Sequence, residues 1–208
     1  MAATYIDIHP VDPQPRLITK AIDIVREGGV IAYPTDSGYA IGCKLGNKDG
    51  IEKIRKIREL PAKHHYTVVC HDFAQLGQMV IVGNAAFRLI KALTPGPFTF
   101  IMKGTKEIPR IMFNDSKKTV GARIPDHKIA LALVEELGEP LMSSTLIMPG
   151  KREPENVGWE IRDQIGYLLD GIVEGPVGNG GPTTVIDLTE DEPKVLRQGV
   201  GDVSEYDL

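Results

Sequence analysis

The chain has 208 residues and a net charge of −4, with 42% hydrophobic and 25% charged residues. This suffices for a large core, and the weak acidity argues against a surface coated in cations for general nucleic-acid binding. No apolar run reaches about 18 residues, the opening MAATYIDIHP lacks a basic-then-apolar layout, and Cys43 and Cys70 stand apart, so a cytoplasmic protein with free thiols and no membrane span is expected.

In chain order, strand-like and helix-like segments alternate. Residues 4–8 (TYIDI) alternate as a strand does. PQPRLITKAIDIVREGG follows, with Leu17, Ala21 and Ile24 along one helical stripe and Gly28-Gly29 at its end. VIAYP (30–34) reads as a buried strand. Residues 49–59 form a helix, with Ile51, Ile54 and Ile57 at helical spacing and Pro61 beyond; TVVC (67–70) is a second buried strand. Asn84 is placed to cap a helix over AFRLIKAL. FTFIMK (98–103) and TVGARI (119–124) read as strands, and Asp126 is placed to cap HKIALALVEEL, which Gly138 closes. PLMSS is the next strand, followed by a helix over 154–167 and three short strands, GIVEG, TTVIDL and KVLRQ. With no repeat, low-complexity tract or linker, residues 1–208 read as a single α/β domain built on a mixed sheet.

Several strands run into abrupt polar or glycine-rich segments. VIAYP meets Thr35-Asp36-Ser37-Gly38, PLM meets Ser143-Ser144-Thr145, and GIVEG meets PVGNGGPTT. Each segment alone has the composition of a turn. Three of them in one domain suggest a shared pocket beyond the strand ends, where amides and small hydroxyls converge in α/β sheets. The hydroxyls of 143–145 sit in an apolar run, and burying one without a partner costs about 1–3 kcal/mol.

Cations concentrate between Lys44 and Lys63: Lys44, Lys48, Lys53, Arg55, Lys56, Arg58 and Lys63 against Asp49, Glu52 and Glu59. Lys56 and Arg58 do not share a helical face unless the helix unwinds before Pro61. Arg123 in TVGARIP and Arg197 in KVLRQG follow strand patterns and suit phosphate or carboxylate recognition through paired N–H donors. No GxxxxGK[ST], HExxH, GxSxG or GxGxxG motif is present. His64, His65 and His71 flank one strand without the spacing of a zinc site.

Taken in order, GGVIAYPTDSGYAIG, KIRELPAK, TPGPFTFIMKG, TVGARIP, PLMSSTLIMPG, GGPTTVIDL and VLRQGVGD resemble the YrdC-like family of threonylcarbamoyl-adenylate synthases, in detail its YciO branch. The resemblance spans roughly residues 16–200 and implies a YrdC/RibB-like α/β fold: a twisted open mixed sheet with flanking helices and a concave basic cavity. It implies synthesis of threonylcarbamoyl-AMP from L-threonine, bicarbonate and ATP, with Mg²⁺ accompanying ATP and no dedicated metal site. That product serves tRNA threonylcarbamoyladenosine modification. The alternative it carries is a double-stranded RNA- or tRNA-binding protein using the same hollow without catalysis. Matched motif by motif, it assigns catalytic positions to Lys56, Arg58 and Ser143, and nucleotide or substrate contacts to Thr35, Arg123, Thr145, Thr183, Thr184 and Arg197. Three departures mark this chain. Thr145 stands where the family's Ser-x-Asn has asparagine, Lys63-His64-His65 replaces Lys-Pro-Leu, and Tyr39-Ala40-Ile41 replaces Tyr-Gly-Leu.

Overall fold

The structure, a computed structural model, describes residues 2–61, 64–113, 118–178 and 180–206. Lys63, and Asn179 of the Gly-Asn-Gly-Gly segment, therefore lie outside the described residues. The elements are β1 (Thr4–Asp7), α1 (Pro15–Arg26), β2 (Ile31–Pro34), β3 (Tyr39–Lys44), α2 (Lys48–Arg58), β4 (Thr67–Val69), α3 (Phe73–Met79), α4 (Asn84–Leu93), β5 (Phe98–Lys103), β6 (Thr119–Arg123), α5 (Lys128–Leu137), β7 (Leu141–Thr145), α6 (Gly158–Ile165), β8 (Gly171–Glu174), β9 (Thr184–Asp187) and β10 (Lys194–Arg197).

Among the described residues the strands form one open sheet in the order β1-β8-β2-β3-β7-β4-β6-β5-β9-β10. It is mixed, as expected. The β1/β8, β2/β8, β4/β6 and β5/β9 pairs are parallel, and β2/β3, β3/β7, β4/β7, β5/β6 and β9/β10 are antiparallel.

Two elements escaped the sequence pattern. In β3 both faces are buried, so the period-two alternation of a half-exposed strand is missing. Gly42 lies within that strand because a Cβ there would stand 2.9 Å from the Met142 carbonyl of β7. Helix α3 has only seven residues and rests on Asp72, whose carboxylate accepts the Gln75 amide. Two expected caps are also corrected. Gly83 precedes α4 in the cap position, so Asn84 is its first residue. His127 caps α5 by accepting the Ala130 amide, while the Asp126 amide donates to Asp36 Oδ2 at 3.0 Å.

Strand alternation sends side chains to two cores. Val30 and Ala32 join a large cluster with Ile51, Ile54 and Ile57 of α2, Leu76 and Met79 of α3, Ile90 and Leu93 of α4, and Ile161 and Ile165 of α6. Ile31 and Tyr33 join a smaller one, with Ile18, Ala21, Ile22 and Val25 of α1 and Ile129, Ala130, Leu133 and Val134 of α5. The smaller core draws strand residues from β1, β8, β2, β3, β7 and β4, and among the described residues none from β6, β5, β9 or β10. Two helices are thus too few to cover ten strands. Among the described residues, β6, β5, β9 and β10 receive no helix on that face, and Thr99 and Arg123 lie there beside Ile101 and Val185.

Past β10 the chain folds back onto β9 through Thr184. Its fully buried hydroxyl donates to the Gly201 carbonyl at 2.7 Å and accepts the Gly199 amide at 2.9 Å. Thr184→Val removes both bonds at nearly constant volume and is expected to destabilise the fold by about 1–3 kcal/mol, read from the midpoint of urea unfolding.

Candidate ligand cavity on the uncovered sheet face

Two adjoining cavities occupy this face. The larger, about 220 Å³, is walled by Arg58, His64 and His65 on one side, Thr183, Leu196 and Arg197 on the other, and floored by Thr67, Thr99 and Ile101. The smaller, about 20 Å³, lies between Tyr33, Thr35, Ser143, Arg123 and Pro125. They share Thr67, Thr99, Ser144 and Thr145, so one continuous polar hollow crosses the strands.

The small cavity is built around a buried ion pair. Arg123, at the end of β6, donates from Nη2 to Asp36 Oδ1 and from Nη1 to Ser37 Oγ at 3.1 Å. The Thr35 hydroxyl donates to the Gly38 carbonyl at 2.6 Å and accepts the amides of Ser37 and Gly38, which shapes the turn that presents Asp36. Arg123 is 5% exposed, and among the described residues its Nε has no acceptor. A buried guanidinium N–H without a partner is rare in folded proteins, and the Arg123 side chain is one wall of the smaller cavity. Beside it Ser143 Oγ meets Tyr33 Oη at 2.7 Å, and burial pushes the tyrosine up to about 12, so the phenol keeps its proton at neutral pH.

Charge in the large cavity is arranged differently. Arg58, the last residue of α2, donates from Nε to the Ile147 carbonyl at 3.2 Å and from Nη1 to Ser144 Oγ. Arg197 donates from Nε and Nη2 to the Thr183 carbonyl at 3.1 and 2.9 Å, and from Nη2 to Thr183 Oγ1 at 3.2 Å. Among the described residues neither guanidinium has a carboxylate partner. Burial, then the charge of Arg197, draws Arg58 down to about 10, and burial lowers Arg197. Both stay charged at neutral pH. Two partly buried cations holding only neutral acceptors leave a positive field for an oxyanion to neutralise.

His64 faces this pair. Its Nε2 lies 3.1 Å from Ser144 Oγ, and burial, Arg58, His65 and Arg197 together hold the imidazole down at about 4. His65, lowered by burial, lies 3.3 Å from Thr119 Oγ1.

Of the nine positions suggested by sequence, seven meet in the hollow: Thr35, Arg58, Arg123, Ser143, Thr145, Thr183 and Arg197. Lys56 does not. Helix α2 stays helical through Arg58 and turns only at Glu59, in the left-handed conformation, so the expected unwinding before Pro61 is absent. Positions two apart on a helix point about 200° apart. Lys56 accordingly projects outward, 74% exposed and 3.8 Å from Glu52. Thr184 points away from Thr183, into the opposite face, with its hydroxyl bound to Gly199 and Gly201. The basic run around α2 is also partly compensated, since Lys53 pairs with Asp170 at 2.7 Å and Arg55 with Glu52 at 2.8 Å.

Sequence reasoning missed His64, Thr67, Thr99 and Tyr33 as members of the site; Ser144 and Asp36 lie in polar segments it placed at a shared pocket, but it gave neither a role of its own. Thr67 and Thr99 carried a signal, being lone polar residues in apolar strand runs; His64 carried one as a departure from Lys-Pro-Leu. Among the described residues no group of three His, Cys, Asp or Glu is placed to hold a metal, and no helix is long and apolar enough to cross a membrane.

The chain is similar in sequence and fold to known proteins. A family model covering Sua5, YciO and YrdC proteins, described as "Telomere recombination", matches residues 23–199. The uncharacterized protein YciO of Escherichia coli K12 is 51% identical over 199 residues, covering 96% of this chain and 97% of that protein, and the crystal structure of E. coli YciO superposes with a TM-score of 0.94 at 50% identity over 97% of this chain and 98% of that one. The threonylcarbamoyl-AMP synthase of Bacillus subtilis is 32% identical over 192 residues, 90% of this chain but 54% of the synthase. The Pyrococcus abyssi Sua5 structure complexed with L-threonine has a TM-score of 0.86 at 26% identity, over 95% of this chain and 58% of that one.

Two outcomes are expected. Asp36→Asn leaves the Arg123 charge buried without its counter-ion and should cost about 3–5 kcal/mol in urea unfolding. His64 is held neutral in the folded state, whereas in the unfolded chain it takes a proton near its ordinary 6.5. Its contribution to stability is therefore present above pH 6.5 and lost as pH falls toward about 4. In His64→Gln that part of the pH profile should flatten.

Proposed function

Because the chain belongs to the Sua5/YciO/YrdC family, we propose that the hollow forms an acyl-adenylate from ATP and a carboxylated amino acid, with threonylcarbamoyl-AMP as the product. The observation carrying this reading is the pair of guanidinia, Arg58 and Arg197, which no carboxylate compensates among the described residues, in a cavity contiguous with the one that Arg123 lines. The E. coli relative of high identity is uncharacterized, and the synthases resemble this chain over about half their length, so the reaction itself is the proposal.

In the proposed step, a carbamate oxygen of N-carboxy-threonine bonds to the α-phosphorus of ATP. The bond from that phosphorus to the oxygen bridging to the β-phosphate breaks, and pyrophosphate leaves with the electron pair. Charge accumulates on the phosphate oxygens, where Arg58, Arg197 and the Ser144 hydroxyl are assigned to hold it. Thr35, Ser143 and Arg123, which line the smaller cavity, are assigned to the amino acid. Mg²⁺ enters with the triphosphate as part of the substrate. Thr145 replaces an amide, which both donates and accepts, by a shorter hydroxyl, so one orienting contact to the substrate is weaker.

The test is incubation of the pure protein with Mg-ATP, L-threonine and bicarbonate, following pyrophosphate and the adenylate by mass spectrometry. Arg58→Ala or Arg197→Ala should lower the yield by about 100-fold, the scale for losing one preorganised charge-stabilising donor. Thr145→Asn should raise it. Wild-type product no greater than that of the Arg58→Ala variant would overturn the reading.

A further inference from the structure

Arg58, Ser144 and His64 form a chain whose hydrogen-bond directions are constrained. A guanidinium can only donate, so Ser144 Oγ is an acceptor toward Arg58 Nη1. The hydroxyl proton then needs its own acceptor, and His64 Nε2, at 3.1 Å, offers a lone pair in the neutral tautomer that carries its proton on Nδ1. In this arrangement the serine proton is engaged by His64 and is not offered to a ligand between the two arginines.

The groups facing His64 explain why the imidazole stays neutral. Arg58 comes from α2, Arg197 from β10, Ser144 from β7, and His65 from its own segment, while the Tyr66 ring stands edge-on with centroids 5.4 Å apart. No carboxylate is among its neighbours of influence in the described residues. Two of the causes opposing its protonation, Arg58 and Arg197, are the cations that an anion in the cavity would neutralise.

We propose that His64 couples anion binding to proton uptake: when a multivalent oxyanion of the phosphate class settles between Arg58 and Arg197, His64 takes a proton from solvent, and the Ser144 hydroxyl turns to donate to the anion. The proton lands on Nε2, which becomes a donor to Ser144 Oγ. Ser144 then accepts from both Arg58 and His64, and its own O–H is released toward the cavity. One proton is gained by the protein for each anion bound, and no other bond changes. The inference rests on the anion-binding part of the proposed function and not on the adenylation chemistry. It also gives His64, absent from the Lys-Pro-Leu pattern, a role of its own as a positioning residue for Ser144.

Sulfate is the appropriate probe, because it does not itself titrate between pH 5.5 and 7.5. Calorimetry at those two pH values, each in two buffers of different ionisation enthalpy, reads affinity and proton uptake together. Full coupling gives at most about tenfold in affinity per pH unit. The wild type should bind sulfate about threefold or more tightly at pH 5.5 than at 7.5, beyond the change in His64→Gln, and His65→Gln should keep the wild-type dependence. In the unsubstituted protein, the ¹⁵N resonances of the His64 ring should report neutral imidazole without sulfate and imidazolium with it at pH 5.5. Equal pH dependence in wild type and His64→Gln, a His64 ring unmoved by saturating sulfate, dependence lost in His65→Gln alone, or no sulfate binding would each overturn the inference. Coupling without adenylate formation leaves it standing and retires the synthase reading; adenylate formation without coupling does the reverse.

Discussion

The ion pair between Arg123 and Asp36 is the constraint on which this hollow depends. It joins the turn after β2 to the end of β6 across the interior of a ten-stranded sheet, and the same carboxylate takes the Asp126 amide at the start of α5. One carboxylate thereby ties the turn after β2 to the connection between β6 and α5, 87 to 90 positions further along the chain. The carboxylate takes Nη2 directly, Ser37 Oγ takes Nη1, and among the described residues Nε has no acceptor. Taking both charges out of water is costly, and a buried pair of this kind does not by itself improve stability over an apolar alternative. What it supplies here is position.

The other arginines of the hollow complement that arrangement. Arg123 is neutralised and held still, whereas Arg58 and Arg197 rest on a carbonyl and hydroxyls and keep their charge available. The contrast separates a structural cation from two that can act on a ligand. It also shows why net charge is a poor guide: the chain is acidic overall, and several cations that looked like a basic patch around α2 are paired with Glu52 and Asp170 on the outer surface.

Much of the fold was legible because most segments obey a single local rule. Helix α1 has its apolar stripe and terminal glycines, α5 its stripe and Gly138, and β5, β6 and β7 their short apolar runs. Where the rule failed, tertiary burial had replaced it. Strand β3 is buried on both faces and so has no alternation, and the caps of α4 and α5 fall to Gly83 and His127. Within the site, Lys56 and Arg58 looked alike in sequence, and an intact last helical turn sends them to opposite sides.

By itself the sequence determined the α/β class, the mixed sheet, the family and most of the polar residues that meet in the hollow, because these follow from periodicity, strand-end composition and the order of motifs. Tertiary structure alone decided which cations remain uncompensated, that His64 and Ser144 complete the set around Arg58, and that Thr184 faces away from Thr183. The physical reason is that charge compensation and hydrogen-bond partnership are pairwise properties of groups dozens of residues apart. Arg58 meets Ser144 and Arg123 meets Asp36 only after the strands between them have paired.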